Sequence, residues 1–197
     1  MKKIFAILMT LFLSSCKSFS LQEEMRVSDL GMDKLPTLEA IYEDEKSFKT
    51  VANNEMTTRS NNEYSTIFYR EVETNISNPY GEKKGRIILR PIFYKIDQKG
   101  VWFLTPLFTL WTANILGCPA NHYESLVELE VRIVDNKGNL IKKYSAENQD
   151  DEYVAMWWSY ADPVAVKASI LRAYKNALRD ITQQIHKDFN YLNSKLK

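Results

Sequence analysis

The chain contains 197 residues, of which 26 are basic and 25 are acidic, and 45% are hydrophobic. This length suits one domain with a substantial hydrophobic core, and the formal net charge of +1 produces no global field that would attract nucleic acid. The two cysteines, Cys16 and Cys118, are too few for a disulfide-rich scaffold.

The N-terminus has the layout of a bacterial export signal. Two lysines precede an apolar run at residues 4–13, and two serines and Cys16 follow. As a helix, this run would cover about 15 Å, half of a hydrocarbon core that is about 30 Å thick. We therefore predict a cleaved signal peptide at residues 1–15 rather than a membrane-spanning helix.

Residues 13–16 (LSSC) resemble the bacterial lipobox, in which an aliphatic residue and two small residues precede an invariant cysteine. The resemblance implies diacylglycerol on the Cys16 sulfur, cleavage before Cys16, and acylation of the new amino group with a fatty acid such as palmitate. Two or more acyl chains are enough for stable anchoring. The resemblance also implies that Lys17, rather than an aspartate, after the cysteine directs the protein to the outer membrane, on its periplasmic or surface face. An ordinary secretory signal that ends in cysteine is the alternative.

A tether and then a single domain are expected after the signal. Residues 16–35 are polar, with scattered apolar side chains and no sustained period, which indicates a lipidated tether. The domain is predicted at residues 36–197. At its start, apolar residues between Leu38 and Phe48 recur at three- and four-residue intervals, which predicts a short amphipathic helix.

Two hairpins are predicted next. Residues 64–74 and 85–97 are rich in aromatic and β-branched side chains, and turn residues separate them. Pro91 lacks a backbone donor, which predicts an edge position or a bulge. In the second hairpin, residues 127–133 alternate between apolar and charged side chains before the turn DNKGN at residues 135–139.

The segment between the hairpins, residues 101–119, carries no charged side chain. As a helix to Gly117 it would reach about 25 Å, at the lower limit for a membrane span, and Pro106 interrupts it. The favoured interpretation is a buried helix or helical hairpin packed on the sheet, with shallow insertion into the anchoring bilayer as the alternative. The side chains that would contact core or membrane are Trp102, Phe103, Leu107, Phe108 and Trp111.

A long C-terminal helix is predicted at residues 163–196. Asp162 suits the N-cap, Pro163 suits the first helical position, and apolar residues then recur at helical spacing through Leu196. A continuous helix would be about 50 Å long, so its end is expected to project or to meet a partner. Its exposed face is basic, which indicates a solvated surface or, alternatively, contact with anionic lipid.

An aromatic cluster precedes this helix. Tyr153, Trp157, Trp158 and Tyr160 could bind a sugar or a hydrophobic partner, or could fill the junction between sheet and helix, and the second interpretation is favoured.

Residues suited to catalysis or metal binding are few. Cys118 and His122 lack the further ligands that zinc requires, so neither a metal nor a cofactor is expected. We predict that Cys118 is a buried, unreactive thiol. The acidic run Asp150, Asp151 and Glu152 is most simply a solvated turn.

The order of these features resembles a family of uncharacterised Gram-negative envelope lipoproteins. The resemblance covers about residues 100–190 and rests on the stretches ILGCP, DNKGN, YVAMWWSY and ILRAYKNALRDITQQI. It implies an envelope lipoprotein and supplies no catalytic residues.

Taken together, the patterns predict an α+β fold: an antiparallel sheet built from two β-hairpins and covered by helices. We expect a noncatalytic binding or assembly component, held to the membrane by acylated Cys16, with an envelope protein or glycan as partner and no nucleic acid. One alternative is an enzyme that acts on glycan or peptide through Asp150, Asp151 or Glu152. The other is a lipid-handling module with an apolar groove beside residues 101–117.

Overall fold

The computed structural model describes residues 20–43, 50–51, 61–100, 102–155 and 162–196. Its centre is one β-sheet. The strands are β1 (Leu38–Tyr42), β2 (Thr50–Val51), β3 (Gly85–Gln98), β4 (Asn121–Asp135) and β5 (Leu140–Val154). Their order across the sheet is β1-β3-β4-β5, and β2 pairs with β3 beyond the end of β1. The β3, β4 and β5 strands are antiparallel, whereas β1 and β2 run parallel to β3.

Helices complete the predicted α+β fold, and the long C-terminal helix is confirmed. They are α1 (Leu21–Glu24), α2 (Asn61–Glu71), α3 (Thr105–Phe108), α4 (Thr112–Ile115), α5 (Asp162–Lys187) and α6 (Phe189–Lys195). A π-helical turn, Val72–Ile76, continues α2, and a 3₁₀ turn, Trp102–Leu104, precedes α3. The apolar side chains of α2 and α5 pack with the sheet in one core.

The hairpin of β4 and β5 is confirmed, and its turn is stabilised locally. The Asp135 carboxylate accepts the backbone N–H groups of Lys137 and Asn139, each at 2.8 Å. Gly138 has φ +86°, a conformation that glycine adopts without steric cost. On the face toward the helices, β4 contributes buried apolar side chains at every second position: Val127, Leu129, Val131 and Ile133.

The predicted strand at residues 64–74 is wrong, because α2 occupies this region. Ile67, Phe68 and Glu71 are buried and recur at helical spacing, so packing against the sheet and α5 overrides the β-propensity of the aromatic side chains. The strand at residues 85–97 is confirmed as β3, with the predicted irregularity between Pro91 and Phe93. Its neighbours are β4 and, in parallel, β1 and β2, rather than residues 64–74.

The helix predicted to begin at Leu38 is also wrong. Leu38–Tyr42 forms β1, whose residues pair in register with β3 from Leu38 opposite Gly85 to Tyr42 opposite Leu89. A β-strand here adds a hydrogen-bonded neighbour to β3, which the local apolar spacing could not indicate. Phe48 lies outside the described residues.

The C-terminal end of the helical region packs on the domain instead of projecting from it. The long helix α5 ends at Lys187, Asp188 interrupts the helical path, and α6 follows. Leu192 and Leu196 of this final segment are buried in the core. Gly85 leaves room for Leu196, since a Cβ at this position would lie 2.3 Å from the Val134 carbonyl oxygen and 2.9 Å from a Leu196 methyl group.

The described part of the predicted tether packs along α2 and α5. Asn75 accepts the Leu30 N–H at 2.9 Å and donates to the Ser28 carbonyl at 3.0 Å. Leu35 is buried in the core. Residues 1–19, with the predicted signal and Cys16, lie outside the described residues, so the division into signal, tether and domain stays a prediction.

No helix within the described ranges is both long and apolar enough to cross a membrane.

Candidate functional site

An uncharged protrusion, residues 102–117, lies between β3 and β4; we call it the apolar lobe. Six of its large apolar side chains are between 56% and 81% exposed: Leu107, Phe108, Leu110, Trp111, Ile115 and Leu116. The favoured prediction of a buried helix packed on the sheet is therefore wrong for these side chains. Trp102, at the start of the lobe, is 36% exposed, and the side chain of Phe103 lies outside the description.

The lobe has an ordered internal structure. The buried side chain of Asn114 donates to the Cys118 carbonyl at 3.1 Å, and the Cys118 N–H donates to the Ala113 carbonyl at 3.0 Å. Between α3 and α4, Leu110 and Trp111 have φ values of +46° and +67°. Bulky residues rarely adopt this left-handed conformation, so the turn at the tip of the lobe stores backbone strain.

An aromatic stack holds the root of the lobe on the sheet. The Trp102 ring contacts the Tyr153 ring edge to face, with centroids 6.3 Å apart. Tyr153 in turn stacks on His122, with centroids 4.1 Å apart and an interplanar angle of 8°. His122 Nε2 lies 3.0 Å from Asp151 Oδ2. Of the predicted partner-binding aromatics, Tyr153 thus supports the lobe, whereas Trp157, Trp158 and Tyr160 lie outside the described residues.

The Cys118 prediction is corrected by the structure, since Cys118 is exposed rather than buried. His122 points to Asp151 and Tyr153. Across the described part of the chain, no group of three or more His, Cys, Asp or Glu residues is arranged to hold a metal ion.

The acidic run forms a cluster with Arg172 rather than a solvated turn. Asp150, Asp151 and Glu152 belong to β5, where neighbouring side chains alternate between the two faces of the sheet. Arg172 of α5 donates from Nε to Asp150 at 2.8 Å and from Nη2 to Glu152 at 2.6 Å. No spacing in the sequence connects these residues, which meet only because α5 packs on β5.

The charges of this cluster depend on one another. Burial by itself would lower the pKa of Arg172. The hydrogen bonds and negative charges of Glu152 and Asp150 together have a larger and opposite effect, so the pKa of Arg172 is raised. Burial raises the pKa of Asp150, and the bond from Arg172 offsets only part of this effect. The cluster is therefore a structural link between sheet and helix rather than a pair of carboxylates free for acid–base chemistry.

A cleft of about 250 Å³ lies beside this cluster, between the N-terminal segment and α2 and α5. Basic side chains on its wall include Arg26, Lys175 and Arg179. Glu71 lies at its base, where burial raises its pKa although Thr182 and Asn75 form hydrogen bonds with it. Thr182 donates to Glu71 Oε1 at 2.8 Å. Glu71 was not among the residues selected from the sequence.

Replacing Glu71 with glutamine is expected to increase stability at neutral pH and to change it little in acid. With its pKa raised on folding, Glu71 binds its proton more tightly in the folded chain. The folded state therefore loses stability when Glu71 ionises. This loss begins as the pH rises above 4.5, the ordinary pKa, and is complete above the raised pKa of the folded chain. Thermal unfolding of both proteins across this pH range measures the difference.

The matched control for Glu71 is Glu39, whose pKa is lowered by its hydrogen bond with Lys83. Glu39→Gln should give no gain at neutral pH. A Glu71→Gln variant that is less stable than the native chain at neutral pH would contradict the assignment of Glu71 as a carboxyl destabilised by burial.

Comparison with known proteins finds only low similarity among the solved structures reported below. No family model and no curated protein matches the chain. A candidate lipoprotein from Caulobacter crescentus CB15 is 17% identical, with a TM-score of 0.30 over 60% of this chain and 71% of that one. A candidate homolog of the neuraminyllactose-binding hemagglutinin from Helicobacter pylori is 9% identical, with a TM-score of 0.44 over 82% of this chain and 86% of that one.

Proposed function

We propose that this protein is a noncatalytic envelope lipoprotein, anchored through acylated Cys16 in the outer membrane, whose apolar lobe is its binding or assembly surface. The observation that carries the proposal is the exposure of the lobe. One aromatic side chain presents about 150–250 Å², so six large apolar side chains that are mostly exposed exceed the few hundred Å² that a soluble monomer usually tolerates. Surfaces of this kind mark sites of contact with proteins or membranes.

The contacts of the carboxylates disfavour the enzyme alternative. Asp150 and Glu152 bind Arg172, and Asp151 faces His122. Acid–base catalysis needs groups that converge on a concave site and are free to exchange a proton. The lipid-handling alternative requires apolar side chains that enclose a chain, whereas those of the lobe are exposed.

Replacing Cys16 with serine tests the anchor. The variant should incorporate no labelled fatty acid and should leave the outer-membrane fraction, because the thiol that receives the diacylglycerol is absent. Labelling of cells with palmitate, followed by fractionation, measures both effects. Cys118→Ser is the matched control and should keep its label and its location. If the native protein itself incorporates no fatty acid, the lipoprotein proposal is wrong.

A further inference from the structure

The apolar lobe and the N-terminal segment lie at the same end of the domain. The lobe joins β3 to β4 where Asn121 pairs with Val154, which we call the upper end of the sheet. The N-terminal segment lies near this end of the sheet, because Glu24 Oε1 is 3.8 Å from Arg172 Nη1. Arg172 also binds Glu152, which lies two residues before Val154.

The length of the preceding chain decides which end of the sheet the anchor can reach. Cys16 precedes Ser20 by four residues, which span at most about 14 Å when fully extended, and α1 adds about 6 Å between Ser20 and Glu24. From Glu152, the upper end of β5 is about 7 Å away and its lower end, at Leu140, is about 40 Å away. A lipid on Cys16 can therefore extend beyond the upper end but cannot reach the lower end.

We propose that the apolar lobe inserts shallowly into the membrane leaflet that holds the acyl chains of Cys16, so that the upper end of the sheet lies against the bilayer. This inference rests on the proposed acylation. It identifies the membrane as the partner that the lobe contacts. The acyl chains keep the domain at the membrane, and the lobe sets its orientation. Two independent contacts restrain rotation of the domain in a way that a single flexible attachment cannot.

The composition of the lobe fits the interfacial region of a bilayer. Residues 101–119 carry no charge, and Trp102 and Trp111 have the apolar ring and polar N–H that favour the boundary between headgroups and acyl chains. Next to the lobe, Lys99 pairs with Glu124 at 3.0 Å, and His122 Nε2 lies 3.0 Å from Asp151 Oδ2. We therefore expect insertion to depend on apolar contact and to be insensitive to salt or anionic lipid.

A fluorescent probe can report the position of the lobe in the intact lipidated protein. In a Cys118→Ser background, Leu116→Cys places a thiol in the lobe and Leu140→Cys places one at the lower end, both at exposed leucine positions. Each protein is labelled with an environment-sensitive dye and reconstituted into neutral phosphatidylcholine vesicles. The dye at position 116 should be quenched severalfold less by aqueous iodide than the dye at position 140, and severalfold more by nitroxide-labelled lipid.

Equal quenching by iodide at the two positions would overturn the inference. A photo-crosslinker at position 116 that yields a protein adduct rather than a lipid adduct in whole envelopes would overturn it as well, and would identify the lobe as a protein-binding surface. The number of dyes bound per chain distinguishes a failure of the proposed acylation from a failure of the proposed membrane contact. A second dye per chain would reveal a free Cys16 and so contradict the acylation, whereas one dye per chain with an aqueous lobe contradicts only the membrane contact.

Discussion

Replacing Leu192 with alanine should lower the free energy of unfolding by about 3 kcal/mol, because it removes a fully buried side chain from the core. Leu192 belongs to α6, which follows the interruption of the long helix at Asp188. The effect would show that the end of the chain is part of the folded domain rather than a projecting element. Urea unfolding monitored by circular dichroism measures the change.

Leu107→Ala is the matched control, since the same residue type is 70% exposed in the apolar lobe. Surface substitutions of this kind usually change stability by less than about 0.5 kcal/mol. If Leu192→Ala also costs less than about 0.5 kcal/mol, α6 does not pack against the core in solution. If Leu107→Ala also costs about 3 kcal/mol, the lobe is buried in solution.

Replacing Arg172 with methionine should cost about 2–4 kcal/mol of folding stability at neutral pH. Methionine keeps an aliphatic stem but removes the donors to Asp150 and Glu152, so two largely buried carboxylates lose their cation. The Arg172 side chain is 23% exposed, and solvent screening places the expected cost below that of a fully buried pair. The cost should shrink as pH falls and Asp150, whose pKa is raised by burial, becomes protonated.

Lys83→Met provides the matched control for the loss of one ion pair. The Lys83 and Glu39 side chains are 60% and 44% exposed and screened by solvent, so their separation should cost much less than the loss of Arg172. Chemical denaturation of both variants at neutral and acidic pH separates the two cases. If Arg172→Met costs no more than Lys83→Met, the cluster does not link α5 to β5 energetically.

Predictions succeeded where the determining interactions are local. The alternation from Val127 to Ile133 and the DNKGN turn together specify a hairpin, since Asp135 binds the N–H groups of its own turn. The bulge near Pro91 follows from the donor that proline lacks. In α5, the regular recurrence of apolar side chains was itself sufficient to predict a helix.

Predictions failed where a distant segment decides the conformation. Residues 64–74 have the composition of a strand, yet Ile67 and Phe68 are buried as a helical face against the sheet. Leu38–Tyr42 becomes a strand because β3 offers an open edge for parallel pairing. Local propensities differ by about 1 kcal/mol or less per residue, so burial of a few large side chains outweighs them.

The sequence by itself determined the β4–β5 hairpin, the long C-terminal helix and the absence of charge in residues 101–119. Only the tertiary structure decided that the side chains of the lobe are exposed, because an uncharged segment is compatible with both a core and a membrane surface. It also brought Arg172 to Asp150 and Glu152, about twenty residues away in the chain. Contacts of this kind depend on how a helix packs on a sheet, and no periodicity within either element encodes which side chains will meet.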